Sequence, residues 1–357
     1  MQSDVIIHKN ADLNLIKKID EFAGLSGVPP INICGQYILL FDKFLKERWQ
    51  PLFIEIVKQN VTLGIMPLMF RNDFRKGVIP YRRIRFFGST SSDFNCVYGN
   101  PGNLGTVIEE SFDWLFKSGF RWEEMILDDL LDSSLAVNPI HNYLTGNLIA
   151  FKAEKGQYFY IRLDRPWSDV IDGMSKSFVL KNIRLAKNRI NAAGQWEIIY
   201  KPFLNADEVL NRAIPIHVER QKSLCRESAF LKPETLNFYK AIISYFTGRE
   251  QFQTFWLNLR GKPIAYMLGF YIDKTFYWWN TAFNPDFAGL YPSRFLQYHV
   301  LEYMHQNGYN EFNFMRGESG YKDKWTDTTR INWRFRIRNN RTLYGRLLFN
   351  LDKWKEG

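Results

Sequence analysis

The chain has 357 residues, of which 46% are hydrophobic and 17% aromatic, and its net charge is +10. This length suffices for two domains with their own cores, and the absence of an apolar run long enough for a bilayer excludes a membrane span. The positive charge indicates an anionic partner, such as a nucleotide-containing cofactor, an acidic carrier protein, nucleic acid or a lipid surface.

The N-terminal stretch MQSDVIIHKNADLNLIKK has no apolar block followed by small residues, so we expect no secretory signal. The three cysteines, Cys34, Cys96 and Cys225, are far apart and odd in number, which is typical of reduced thiols. No cysteine or histidine pair has the spacing of metal ligands. We therefore expect a cytoplasmic location and no metal.

The first half of the chain predicts three strands, a helix and a further strand. LFIEIVK and LGIMPLMF flank the turn QNVT, and RIRFFGST follows as the third strand. LGTVIEESFDWLFKSG has the period of an amphipathic helix and ends in glycine, and EEMILDDL is the next predicted strand.

A basic segment, SKSFVLKNIRLAKNRINAAGQ, follows and contains no acidic residue between Lys176 and Gln195. Lys181, Arg184 and Lys187 are spaced by three, so we expect them on roughly one helix face. This face is either a solvated surface or a binding site for phosphate or for an acidic carrier, and on the second interpretation Arg184 contacts the donor.

The second half repeats the order of the first. FQTFWLNL, IAYMLGFYI and FYWWNTAF are strands joined by RGKP and DK, and YPSRFLQYHVLEYMHQNG is a helix with Pro292 at its first position and Gly308 at its end. A strand, FNFM, follows. Because the whole order recurs, we predict two related domains, residues 1–156 and 157–345, with a tail from 346 to 357.

The loop NPDFAGLYPSR before the second helix is a candidate anion site, because a helix N-terminus presents unpaired amides and a positive dipole. Gly289, Tyr291, Ser293 and Arg294 are the candidate residues for a pyrophosphate. The alternative is an ordinary loop with an exposed arginine.

Three stretches give the chain a resemblance to GNAT acyltransferases: RIRFFGSTSSDFN, KPIAYMLGFYIDKTFYWWNTAFNPDFAGLYPSRFLQ and YNEFNFMRGESGYKDKW. More specifically, the chain resembles acyltransferases associated with the biosynthesis of cellulose and other exopolysaccharides, which are relatives of the Fem-type peptidyltransferases. The resemblance covers roughly residues 30 to 340. In one departure, Ser293 stands where the family usually has glycine, which makes close approach of a phosphate harder.

The resemblance implies an α+β fold of two tandem GNAT-like domains, each with a mixed, mostly antiparallel sheet flanked by helices, and a cleft between the domains. It implies that the second domain binds an acyl-CoA or acyl-carrier-protein thioester between splayed fourth and fifth strands, where an amine attacks the carbonyl. The expected acceptor is a small-molecule amine, with an amino sugar for a surface polysaccharide as the first choice.

Amide formation from a thioester needs a base for the ammonium, donors for the oxyanion and an acid for the thiolate. Tyr321 is the candidate acid, unless its ring only packs on the sheet. Glu318 and His217 are candidate bases, although such a histidine is more often a hydrogen-bonded core residue. Lys322 is expected to neutralise phosphate, or else to form a structural ion pair with Glu318 or Asp323.

Four residues are candidates for binding the acceptor: Asp93, Trp278, Asn280 and Arg316. Asp93 matches an acidic position of the family's first domain, and capping its own loop is the alternative. Trp278 lies in an alternating aromatic strand, so it either stacks on a sugar ring or packs against a helix. Arg316 either contacts a ligand or pairs with an internal acid.

Two rival functions stay open. The first is a Fem-like ligase that takes an aminoacyl group from tRNA, which the basic segment suits, although the helical hairpin arm of several such enzymes has no counterpart here. The second is a non-catalytic module of a polysaccharide synthase complex. Other catalytic motifs are absent: GESG lacks the Gly-x-Ser-x-Gly spacing, and there is no Walker loop or dinucleotide fingerprint.

Overall fold

The computed structural model describes residues 3–75, 77–174, 179–201, 205–317 and 320–347. The chain divides into two compact units, which we call the first unit (Met1–Gly156 with Ile331–Gly357) and the second unit (Gln157–Arg330). Among the helices of the described residues, none combines the length and the apolar character needed to cross a bilayer.

The elements up to the boundary region are β1 (Asp4–His8), α1 (Leu13–Ala23), α2 (Gly35–Phe44), β2 (Gln50–Lys58), β3 (Val61–Arg75), β4 (Ile79–Phe86), β5 (Tyr98–Gly99), α3 (Leu104–Lys117), β6 (Glu124–Leu131), α4 (Val137–Gly146) and β7 (Phe151–Arg162). They are followed by α5 (Trp167–Asp172), α6 (Val179–Ala193), β8 (Trp196–Lys201), α7 (Ala206–Lys222), α8 (Pro233–Thr247), β9 (Phe252–Leu259), β10 (Lys262–Ile272), β11 (Thr275–Phe283), α9 (Pro292–Gln306), β12 (Glu311–Asn313) and β13 (Thr329–Arg338).

The sheet of the first unit has the strand order β1-β2-β3-β4-β6-β13. Neighbouring strands are antiparallel except for β4 and β6, which run parallel. In β2, Leu52, Ile54 and Ile56 alternate into one core cluster, where they meet the apolar face of α3. This alternation is the period-two pattern that predicted the strand.

The sheet of the second unit has the order β7-β12-β11-β10-β9-β8, with β11 and β12 parallel and the other pairs antiparallel. Its core contains Phe295, Leu296 and Val300 of α9 beside Ile183 and Ala186 of α6. The spacing of the α9 residues follows the helical period, which fixes the face that α9 presents to the sheet.

These mixed sheets with flanking helices confirm the predicted α+β class, and the order of three strands, a helix and a strand occurs once in each unit. One part of the predicted domain division differs from the structure. Residues from Ile331 onward group with the first unit rather than with the second, because β13 pairs with β6 and places Phe335 and Ile337 in the first core. The cleft expected between the domains stays a prediction.

Candidate functional site

The strands β11 and β12 separate after a short parallel contact. Only Thr275–Tyr277 pairs with β12, whereas β11 continues along β10 as far as Phe283. A register shift opposite Leu268 and Gly269 adds one residue to β11 at this point, and such a bulge increases the local twist of a strand. Beyond Tyr277, the β12 side of β11 therefore has no strand partner among the described residues.

Glycine is required opposite this bulge. A Cβ atom at Gly269 would lie 2.4 Å from the carbonyl oxygen of Tyr277 and 2.3 Å from the ring of Phe276. Any larger residue would push β11 away from β10, so the shape of the open edge is built into the sequence at this position.

A cavity of about 460 Å³, which we call the strand-gap cavity, lies beside this open edge. Its walls come from β11, the first turn and a half of α9, the last part of α7 and the segment after β12. The lining residues are Arg220, Gln221, Leu224, Trp278, Thr281, Ala282, Phe283, Ser293, Arg294, Gln297, Tyr321, Lys324 and Trp325. The cavity thus combines apolar side chains with cationic groups and a phenol, a combination that suits an organic anion.

The N-terminus of α9 opens on the strand-gap cavity. Tyr291 precedes the helix in a left-handed conformation, with φ of 56°, and Pro292 occupies the first helical position. Because proline has no N–H, Ser293 supplies the first amide of the helix, and both Ser293 and Arg294 line the cavity. The helix dipole and the Arg294 guanidinium together favour a negative group here.

Two arginines hold the loop before α9. The Arg189 guanidinium of α6 donates a hydrogen bond of 2.6 Å to the carbonyl oxygen of Gly289 and lies 5.2 Å from the ring of Tyr291. The Arg294 guanidinium lies 5.0 Å from the same ring. Gly289 and Tyr291 thus belong to a loop that two arginines contact, whereas Ser293 and Arg294 line the cavity. The predicted contact of these four residues with a pyrophosphate stays a prediction.

Two buried side chains of the strand-gap cavity carry unused hydrogen-bond donors. Gln297 is 3% exposed and Trp278 is 7% exposed. In the described part of the chain, neither the Gln297 Nε2 group nor the Trp278 Nε1 group has a hydrogen-bond partner. A buried unsatisfied donor costs about 1–3 kcal/mol, so an oxygen atom of a bound molecule would relieve this cost.

Of the acid–base candidates that the structure describes, Tyr321 lines the strand-gap cavity. Its side chain is 41% exposed, and its ring meets that of Trp278 edge to face with 6.1 Å between the centroids. The phenol therefore stands at the rim of the cavity, where it is open to solvent and next to the aromatic wall.

Lys322 has the position of a structural residue. Its side chain is buried, and Nζ donates hydrogen bonds to the carbonyl oxygens of Phe314, Met315 and Arg316 at 3.0, 3.3 and 2.9 Å. These carbonyls lie just past the end of β12, where the chain turns and the φ of Gly317 is 116°. Because the ammonium group bonds these three oxygens, the geometry favours a structural role over the expected phosphate contact.

His217 also occupies a core position and is absent from the cavity lining. Its Nδ1 atom lies 2.8 Å from the Ser228 hydroxyl, its ring packs edge to face on Phe230, and burial lowers its pKa. The same helix contributes Arg220 and Gln221 to the lining. The geometry therefore favours the hydrogen-bonded core alternative over a catalytic base.

The other candidates of the second unit are absent from the lining of the strand-gap cavity or lie outside the described residues. The Tyr266 hydroxyl donates to Asn280 Oδ1 at 2.7 Å, and Asn280 is not a lining residue. Arg316 and Arg184 are exposed, and neither belongs to the lining. Glu318 lies outside the described residues, so its predicted role stays a prediction.

The corresponding gap in the first unit is closed by the chain itself. After its parallel contact with β4, β6 offers backbone carbonyls to Asn95, which bonds Asp129 O through its own N–H at 3.0 Å and Asp128 O through its side chain at 2.8 Å. Asp128 also forms an ion pair with Arg85. Asp93 belongs to the same loop, and its backbone N–H donates to Asn32 Oδ1 at 2.9 Å. Its predicted role in binding the acceptor and the loop-capping alternative both stay predictions.

The sequence interpretation missed several lining residues, among them Gln221, Leu224, Gln297 and Lys324. Gln297 could have been identified from the sequence, because it stands on the apolar face of α9 with Phe295, Leu296 and Val300, where a polar residue is unusual. The α7 residues could not, because their approach to β11 depends on long-range packing.

Comparisons with known proteins agree with this fold. Residues 177–323 match the family model of the acetyltransferase (GNAT) domain. The chain is similar to the crystal structure of FemX, with 11% identity, coverage of 98% of this chain and 99% of that chain, and a TM-score of 0.61. Among the curated proteins, none matches the chain.

Two further structures are similar over most of their length. One is L-PGS from Bacillus licheniformis, with 14% identity, coverage of 94% and 95%, and a TM-score of 0.55. The other is a tandem GNAT protein from the clavulanic acid biosynthesis pathway, with 11% identity, coverage of 94% and 98%, and a TM-score of 0.50. The chain therefore has the α+β fold of tandem GNAT proteins, with the matched GNAT domain in its second half.

Proposed function

We propose that the protein is an N-acyltransferase that moves an acyl group from an acyl-CoA or acyl-carrier-protein thioester to an amine. The observation that carries this proposal is the strand-gap cavity, which lies where β11 and β12 separate and meets the N-terminus of α9. An extended thioester fits beside an open strand edge, and the helix N-terminus with Arg294 suits the phosphate groups of its carrier.

The proposed chemistry begins with the acceptor ammonium, which gives one proton to a base, and we keep Glu318 in that role. The free amine attacks the thioester carbon, and the unused donors of Trp278 and Gln297 are available to the oxygen that becomes negative. The carbon–sulfur bond then breaks as the Tyr321 phenol protonates the leaving thiolate. The phenol is restored by the second proton, which the nitrogen loses as the amide forms.

The proposed acceptor is an amino sugar, free or nucleotide-linked, that is destined for a surface polysaccharide. We propose that its acylation takes place in the cytoplasm. This choice rests on the sequence resemblance to acyltransferases of exopolysaccharide biosynthesis. Transfer of an aminoacyl group from tRNA is the second candidate, and the structural similarity to FemX supports it. A non-catalytic module is the third, supported by the closed gap of the first unit.

A donor panel tests the proposal. The purified protein is incubated with glucosamine, UDP-glucosamine and simple amines, together with labelled acetyl-CoA, an acyl-carrier-protein thioester or aminoacyl-tRNA. We expect an amide product from one of the first two donors. Product from aminoacyl-tRNA alone would select the second candidate, and thioester binding without any product would select the third.

A further inference from the structure

The first unit contains a second, larger cavity, of about 840 Å³, which we call the aromatic cavity. Its lining comes from the end of β1, the turn before β2, the start of β2, β3 and the end of α3. The lining residues are Ile7, Lys9, Asn10, Lys46, Glu47, Arg48, Trp49, Gln50, Pro51, Leu52, Phe70, Trp114 and Phe120. None of them belongs to the loop around Asp93 or to β6, so this cavity is separate from the closed gap of the first unit.

The walls of the aromatic cavity are apolar and braced. The ring of Phe120 lies 5.5 Å from Trp114 and 5.2 Å from Phe70, measured between centroids. Behind them, the Arg82 guanidinium lies 5.0 Å from the ring of Phe70 and 5.2 Å from that of Phe120. These mutual contacts fix the rings, so the walls form a stable surface for an aliphatic or aromatic group.

The rim of the aromatic cavity is cationic. Lys46 pairs with Asp42 at 3.0 Å, but Lys9 and Arg48 are exposed and have no acidic partner in the parts of the chain that the structure describes. Glu47 is the one acidic residue of the lining. The rim therefore keeps a positive excess, which complements a single anionic group.

The turn that forms part of this rim is strained. Glu47 has a φ of 48°, in the left-handed region that residues other than glycine rarely adopt. The turn is closed by the Trp49 N–H, which donates to Lys46 O at 2.7 Å, and it leaves Trp49 only 4% exposed while Arg48 faces solvent. Such strain is often retained at binding sites, and here the strained turn carries an exposed cation, Arg48, next in sequence to the buried Trp49.

We propose that the aromatic cavity binds a single-chain amphipathic anion. Its apolar chain lies against Trp114, Phe120 and Phe70, and its phosphate or carboxylate group meets the rim at Lys9 and Arg48. The cavity has the size of ordinary ligand pockets, and its few charged groups beside an apolar body are what such a ligand requires. This site is independent of the strand-gap cavity and of the proposed transfer reaction.

Isothermal titration calorimetry with dodecyl phosphate, below its critical micelle concentration, tests the proposal on the full chain. We expect saturable binding of one molecule per chain, weaker binding of dodecanol, and no binding of inorganic phosphate. Laurate in place of dodecyl phosphate distinguishes a carboxylate from a phosphate ligand. Saturating coenzyme A leaves the affinity unchanged, because the donor has its own cavity.

Variants assign the binding to the aromatic cavity. Lys9→Gln with Arg48→Gln lowers the affinity for dodecyl phosphate roughly threefold to tenfold at low ionic strength and leaves dodecanol unaffected. Trp114→Ala weakens both ligands, and circular dichroism checks its folding. The matched control, Lys17→Gln with Lys58→Gln, removes two exposed charges away from the lining and changes neither affinity.

Three results would overturn the proposal: no saturable binding, displacement of dodecyl phosphate by coenzyme A, or equal affinity in the rim variant and the control. If Trp114→Ala fails to fold, the rim variant, Lys9→Gln with Arg48→Gln, still tests whether the aromatic cavity binds dodecyl phosphate. Acyl transfer by the rim variant is measured in parallel, so loss of this site and loss of the proposed function are told apart.

Discussion

At the scale of single residues, the strand-gap cavity separates groups that touch its space from groups that support it. Tyr321, Trp278 and Gln297 line the cavity, whereas Lys322 and His217 are occupied by contacts within the protein. The two sets were not separable from the sequence, because a catalytic and a structural lysine or histidine have the same appearance there. We therefore expect substitutions of the lining residues to change turnover or donor binding, and substitutions of Lys322 and His217 to change stability.

Tyr321→Phe should lower turnover without weakening donor binding. The ring keeps its edge-to-face contact with Trp278, while the substitution removes the phenolic proton that we propose for the thiolate. General acid catalysis contributes about 10²–10⁴-fold, so we expect a loss of that order in kcat with an unchanged Kd for the donor. Tyr271→Phe, which removes a phenol away from the lining, is the control in the same steady-state assay. Equal kcat values for Tyr321→Phe and the control would contradict the assignment.

Gln297→Leu should raise the stability of the free protein and weaken its binding of the donor. The Nε2 group of Gln297 is buried without a partner, so its removal relieves a penalty of about 1–3 kcal/mol in the free protein. Gln253→Leu is the opposite control, because Gln253 Oε1 accepts a 2.8 Å bond from the Tyr309 hydroxyl and its loss should destabilise the fold. Thermal unfolding with and without coenzyme A gives both quantities, and a destabilised Gln297→Leu that still binds donor normally would rule out this role.

His217 predicts a pH dependence of stability rather than of catalysis. Burial lowers its pKa in the folded state from 6.5, so the unfolded state binds the proton more tightly. The folded state is therefore favoured above that pH, and it loses stability as pH falls through 6.5 towards the lower folded pKa. His217→Gln should flatten this part of the stability curve in urea titrations while the pH profile of kcat keeps its shape. A kcat loss that high pH partly rescues would instead make His217 the base.

At the scale of elements, the sequence predicted each central unit of three strands, a helix and a strand, because their apolar residues keep period two or 3.6 throughout. It did not predict the partner of β13, since Phe335 and Ile337 alternate equally well for either sheet. The extra residue in β11 was also missed, because a bulge depends on the register with β10. The opening of the strand gap was expected only through the resemblance.

Lys322→Met tests how the turn after β12 is held. The change removes the three hydrogen bonds to the carbonyl oxygens of Phe314, Met315 and Arg316 while it keeps most of the side-chain volume. We expect the free energy of unfolding to fall by roughly 1–3 kcal/mol, since the carbonyls lose their donor. The Kd of the donor, measured at low and high salt, should keep the same salt dependence as in the parent protein. A smaller salt dependence with unchanged stability would support a phosphate contact instead.

At the scale of the whole molecule, the two units share one fold but differ at the gap between their parallel strands. In the first unit, Asn95 bonds the carbonyls of Asp128 and Asp129, so the chain itself occupies the edge of β6. In the second unit, the edge of β11 beyond Tyr277 borders the strand-gap cavity. The second unit therefore has an open gap and the first unit a closed one, and we expect this difference to set the number of donor molecules bound per chain.

Coenzyme A should bind with a stoichiometry of one per chain, and the site should belong to the second unit. Arg294→Gln should weaken binding, because it removes the guanidinium beside the first turn of α9, whereas Asn103→Ala, before the corresponding helix α3, should leave the affinity unchanged. Calorimetric titration gives the stoichiometry and the Kd of both variants in one experiment. Two sites per chain, or a loss confined to Asn103→Ala, would place a donor in the first unit and refute the closed state of its gap. A single site weakened by Arg294→Gln alone would show that only the unit with separated strands retained room for a thioester.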